Sequence, residues 1–196
     1  MTFRRIVFFV LQILIIPSVF AEKTPAPTDE KLVLFVQQRT NAVKITQSPF
    51  EMGQFVVARC VGPSPEEVHT AEKEKTFGIS DPHLKKFVHV YVSHDGQAAM
   101  RTDSGVFPQG AIVLKEKFSD PEGKHTELFT GMIKREAGYN PECGDWEFFT
   151  LPGDASQISS RGKLQDCMDC HVEYKKSDYV TKNYAHISFY PKPTGQ

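Results

Sequence analysis

Several things are scarce in this sequence, and each scarcity excludes something. Its 196 residues carry 23 Lys and Arg against 24 Asp and Glu, a formal net charge of −1. That balance lacks the basic excess of a nucleic-acid binder and gives no reason to expect an acidic membrane as partner. Four cysteines, Cys60, Cys143, Cys167 and Cys170, are too few for a disulfide-stapled scaffold of this length. The longest apolar stretch, Ile6 to Ala21, falls short of the ~20 residues a membrane-spanning helix needs. No internal repeat and no low-complexity block appears.

What that stretch does resemble is an export signal. Arg4 and Arg5 precede a short greasy core, and small residues close it near Ala21. The expectation is a signal peptide over residues 1–21, cleaved to release a periplasmic protein with no remaining membrane span. No cysteine follows the cleavage point, so a lipid anchor is not expected. Losing Arg4 and Arg5 moves the formal charge from −1 to −3, still mild. Residues 22–28 (EKTPAPT) read as a flexible lead-in, and residues 29–196 as a single domain.

Asp29 offers an N-cap to a helix in which Leu32, Phe35 and Val36 share a face. The middle of the chain is rich in strand formers. Strands are expected at Phe55 to Val61, Phe87 to Ser93, Ala111 to Phe118, Leu128 to Arg135 and Asp145 to Leu151. In the second of these, Val88, Val90 and Val92 point one way, and Phe87, His89 and Tyr91 the other. His94-Asp95-Gly96 reads as a turn. A last helix is expected from about Lys163 to Tyr174. The fold class predicted is α+β, mainly β: an antiparallel sheet with helices at both ends.

That last helix contains Cys167-Met168-Asp169-Cys170-His171. Cys-x-x-Cys-His is the attachment sequence of c-type haem. Two thiols one helical turn apart suit the two vinyl groups of the porphyrin, and the adjacent imidazole suits the iron. Other readings exist. A thioredoxin-like redox pair belongs after an early strand rather than near the C-terminus. A zinc site needs two further ligands, from Cys60, Cys143 or another histidine, and none shows ligand spacing. An ordinary disulfide is the third. Motif and export signal together favour one covalent haem c, with Cys167 and Cys170 as attachment points and His171 as iron ligand. A Cys60–Cys143 bridge is compatible with export but not required.

Beyond the motif, four stretches resemble the cytochrome P-460 family, to which the β-type cytochromes c-prime are related. They are FVHVYVS at 87–93, FPQGAIVLKEKF at 107–118, MIKREAGYNPECGDWEFF at 132–149 and RGKLQDCMDCHVEYKKSDYV at 161–180. The resemblance implies a haem held against an antiparallel sheet, a homodimer, and His171 as the only protein ligand to iron. It also implies that a lysine on a strand ending Val-Lys-Glu bonds to the porphyrin edge. Here the matching run is Val113-Leu114-Lys115-Glu116, which makes Lys115 the cross-link candidate, with Lys117 on the same strand face as its control. A strand lysine without such a resemblance is ordinarily a solvated side chain.

The open face of the iron is less legible. An electron carrier would fill it, commonly with methionine. Met132 is a candidate whose default role is core packing, and His89 one whose default is a satisfied half-buried histidine. The family enzyme oxidises hydroxylamine and needs a distal proton acceptor. Around the implied position the chain reads Met132-Ile133-Lys134-Arg135-Glu136, so Glu136, Lys134 and Arg135 are all candidates. A basic residue there would rather stabilise an anion. Trp146, Phe148 and Tyr179 are candidates for haem packing. The expected function is oxidation of hydroxylamine or a related small nitrogen species at a five-coordinate haem, with electrons leaving to a soluble cytochrome. The alternatives are NO binding without turnover and periplasmic electron transfer.

Overall fold

Alternation along the strands divides this protein into two cores. The computed structural model describes residues 25–39, 41–52 and 86–182. In chain order the elements are α1 (Asp29–Gln38), β1 (Ala42–Lys44), β2 (Phe50–Met52), β3 (Lys86–Ser93), α2 (Gln97–Met100), β4 (Ile112–Phe118), β5 (Thr126–Lys134), β6 (Trp146–Pro152), β7 (Ser160–Gly162) and α3 (Gln165–His171). The described strands form one antiparallel sheet in the order β1-β3-β4-β5-β6-β7. β2 pairs with the other end of β3, so β1 and β2 share one edge as a split strand.

On one face, Val88, Val90 and Val92 of β3 join Val113, Met132, Trp146 and Phe148, with Met168 of the CMDCH segment and Val180 beyond it closing over them. On the other, Tyr91, Leu114, Ile133, Phe149 and Leu151 pack against Leu32 and Val36 of α1. Each large apolar side chain so buried contributes roughly 1.5–3 kcal/mol. The sheet is therefore covered by a helix on each side, and CMDCH lies on the first face. Gly131 is needed at the centre of the second. A Cβ there would lie 2.1 Å from Cζ of Phe149, whose ring crosses the β5 backbone.

The expected α+β architecture is present, with differences at the edges. The cap of α1 is Thr28 rather than Asp29: its hydroxyl accepts from Lys31 N at 3.4 Å, and Asp29 occupies the first turn. His94-Asp95-Gly96 is a 3-10 turn that continues into α2. The last helix is shorter than expected and passes into a 3-10 segment, Val172–Ser177. Strand β6 starts at Trp146 because Asp145 has φ 60° and its carboxylate accepts from Gly138 N and Asn140 N. The three-residue strands β1, β2 and β7 are too short to show a period. The strand expected at Phe55 to Val61 lies outside the described residues.

Candidate cofactor site

α3 presents Cys167 and Cys170 one turn apart, hence on the same side. Cys167 packs against the first core, and Met168 between them is buried in it. His171 closes the helix. Its Nδ1 is 2.6 Å from the carbonyl oxygen of Tyr179. A carbonyl can only accept, so Nδ1 carries the proton and donates. Nε2 is then the unprotonated nitrogen, the form a metal requires. Desolvation, and after it the Lys115 cation, push the ring's pKa down to about 4, with the Tyr179 carbonyl partly opposing them. The imidazole is therefore neutral across the physiological range.

The Tyr179 carbonyl reaches His171 through an unusual backbone. Asp178 and Tyr179 are both left-handed, φ 58° and 62°. For residues with a Cβ this costs roughly 1–2 kcal/mol each. The segment is held at several points. Asp178 accepts from Lys134 Nζ at 2.6 Å, from Phe107 N at 2.8 Å and, through its own carbonyl, from Trp146 Nε1 at 2.8 Å.

Between α3 and the sheet lies a pocket enclosing about 550 Å³, part of it open to solvent. Lys115, Thr130, Met132 and Phe148 form its sheet wall, and Cys167, Cys170 and His171 its helical wall. The Phe148 ring lies 5.2 Å from that of His171, tilted by 51°. Two thiols, a neutral imidazole with Nε2 available and a largely apolar cavity fit a haem that has covalent attachment and one protein axial ligand.

Comparison with protein families agrees. A model of the cytochrome P-460 family matches residues 65–182. The chain belongs to the cytochrome P-460 family. It is accordingly a haem cytochrome of that family. No curated protein matches it.

With the family in hand, the remaining candidates can be placed. Lys115 lines the pocket, whereas Lys117, on the same strand face, is buried outside the described lining. Of the distal candidates, Met132 lines the pocket and is 3% exposed. The other four lie elsewhere. Lys134 shares the face of Met132, but its ammonium is held by Asp178 and by the Gly144 carbonyl at 2.8 Å, above the Trp146 ring. Arg135 follows Lys134 and so turns to the opposite side. There it donates to Glu147 at 2.7 Å and to Glu136 at 3.2 Å and stacks on Tyr139. Glu136, past the strand end, goes with it.

His89 is on the far face of the sheet. Its Nδ1 is 3.0 Å from the Thr46 hydroxyl, and its ring meets Phe118 and Tyr91 edge-on. Alternation is the reason: β3 turns Val88, Val90 and Val92 toward the pocket side. Of the packing candidates, Phe148 lines the pocket. Trp146 is fully buried and tied to Asp178. The Tyr179 ring covers Gly144, where a Cβ would come within 2.4 Å of it. Cys143 is a fully buried free thiol, and Cys60 lies outside the described residues.

Sequence reasoning missed Thr130 and Thr181 in the lining, and the role of Asp178. Thr130 could have been found by counting, since it lies two residues before Met132 and pairs directly with Lys115.

Proposed function

We propose that this protein is an exported haem c cytochrome that oxidises hydroxylamine or a related small nitrogen species. The observation that carries the reading is the position of Lys115. It shares one pocket with Cys167, Cys170 and His171, while Lys117 does not. A bound haem would supply an electron-accepting iron. Cys167 and Cys170 would hold the porphyrin by thioether bonds. His171, neutral and oriented by the Tyr179 carbonyl, would offer Nε2 to the iron. Lys115 would bond to the porphyrin edge. Val113, Met132 and Phe148 keep bulk water from the sheet side of the cavity. Electrons leave to a soluble cytochrome, and the functional unit is a homodimer.

The test is the optical spectrum of the periplasmically matured protein, ferric and ferrous, beside Lys115→Ala and Lys117→Ala. A red-shifted, broadened ferrous Soret band that reverts in the first variant alone, with hydroxylamine-dependent reduction of an acceptor cytochrome, is the expected result. An ordinary high-spin c-type spectrum, unchanged by Lys115→Ala and without turnover, refutes it.

A second reading, NO capture without turnover, has its own observation. The described lining offers the hydroxyls of Thr130 and Thr181 but no carboxylate to take a proton from bound hydroxylamine. Tight NO binding together with absent hydroxylamine turnover selects it.

A further inference from the structure

Lys134 and Asp178 form a pair that the expected chemistry does not use. Their side chains are 12% and 9% exposed, and Nζ to Oδ1 is 2.6 Å. The same ammonium also donates to the Gly144 carbonyl. Gly144 is the residue on which the Tyr179 ring rests. One lysine of β5 therefore grips both the residue before Tyr179 and the platform beneath it. Asp178 uses its second carboxylate oxygen on Phe107 N and its carbonyl on the Trp146 indole. Tyr179 N donates back to Tyr174 O at 2.8 Å. All of these bonds converge on two consecutive left-handed residues. Such a backbone persists only where its surroundings over-determine it. Its product is one aimed atom, the Tyr179 carbonyl oxygen on Nδ1 of His171.

We propose that Asp178, clamped by Lys134, is a positioning residue for His171. It acts through the Tyr179 carbonyl and sets the orientation and basicity of the imidazole. The proposal rests on His171 being the axial ligand. A strong Nδ1–H bond to a fixed acceptor makes the ligating nitrogen more basic, which stiffens the iron–histidine bond and favours the ferric state. Loosening the clamp weakens that bond. The geometry also explains why the lysine nearest the predicted distal position is not in the pocket: it serves the ligand from behind.

The experiment uses the matured holoprotein and reads the iron–histidine stretching band of the ferrous form by resonance Raman, together with the midpoint potential. The variants are Lys134→Met, Asp178→Asn and the pair combined. Each single change is expected to move the band to lower frequency and the potential upward, with haem content by pyridine haemochrome unchanged. The double variant should shift no further than the larger single, because the residues act as one unit. Val36→Ala, on the far side of the sheet, is the control for lost stability and should move neither reading. Should Asp178→Asn or Lys134→Met fail to accumulate, Trp146→Phe removes the indole donor to Asp178 while keeping an aromatic ring in the core, and should give a smaller shift in the same direction. Unchanged band and potential in the variants that fold, or equal shifts in Val36→Ala, overturn the proposal. A wild-type band that is absent, or that survives His171→Gly, overturns the ligand assignment first and the positioning role with it.

Discussion

Replacing Gly131 by alanine adds one methyl group at the point where β5 is most crowded. The new Cβ would lie 2.1 Å from Cζ of Phe149 and 2.6 Å from both Cε atoms. Ordinary contact begins near 3.4 Å, so the ring must retreat by more than an ångström. Phe149 is fully buried and packs among Leu114, Ile133 and Leu151. Overpacking of this kind typically costs about 1–3 kcal/mol, and the depth of the overlap argues for the upper end. Alanine in a strand returns roughly 0.5–1 kcal/mol of backbone entropy relative to glycine. The net expectation is a loss of about 2 kcal/mol, or roughly 4–8 °C in Tm for a domain of this size. Urea titrations of wild type, Gly131→Ala, Phe149→Leu and the double variant provide the assay. Phe149→Leu opens space at the ring, so the double variant should be more stable than the sum of the singles by at least about 1 kcal/mol. A Gly131→Ala protein within about 0.5 kcal/mol of wild type, or strictly additive singles, would refute the argument from close approach.

Other consequences follow from named contacts. Glu147 is 5% exposed and accepts from both Arg135 and Arg161, so Glu147→Gln should cost about 2–3 kcal/mol in a denaturant titration, since it leaves two guanidinium groups short of charge. Thr28→Ala removes a long, exposed cap bond and should cost only about 0.5 kcal/mol, read as a small drop in Tm. Burial holds the pKa of His89 below its ordinary value, so the unfolded chain binds that proton more readily. Its contribution to stability is complete above about pH 6.5 and falls as pH drops below it. His89→Gln should flatten the wild-type slope of stability below about pH 6.5, and an unaltered slope would exclude His89 as its source.

The sequence was most readable where one period dominated. Val88, Val90 and Val92 alternate cleanly, and β3 runs from Lys86 to Ser93, within a residue of expectation. Lys115 was singled out by the family resemblance, and it does line the pocket. The CMDCH spacing singled out Cys167, Cys170 and His171, and all three line the pocket because one helical turn sets the two thiols on the same side. Legibility failed at strand ends and over long separations. Arg135 and Glu136 stand near the distal position that the family resemblance implies, but one step past Lys134 reverses the side to which a strand residue points. His89 failed for the same reason, since its parity placed it with Tyr91 and Glu116. Asp178 belongs to a stretch that carries the family resemblance, but nothing local reveals its role. Its partners Lys134, Phe107 and Trp146 lie 44, 71 and 32 residues away in the chain, and only folding brings them together.

The order of the strands also bears on how such a protein is put together. β3, β4, β5 and β6 pair in the sequence in which they are made, each with the strand that follows it. Such neighbour-to-neighbour pairing keeps the closures between strands local in the chain. Other contacts span it: Arg161 reaches back to Asp29 at 2.6 Å over 132 positions, and the turn at Asp178 engages Phe107. The pocket thus joins a sheet wall held by local pairing to a helical wall held by distant contacts, so its thiols and imidazole meet Lys115 only in the complete fold.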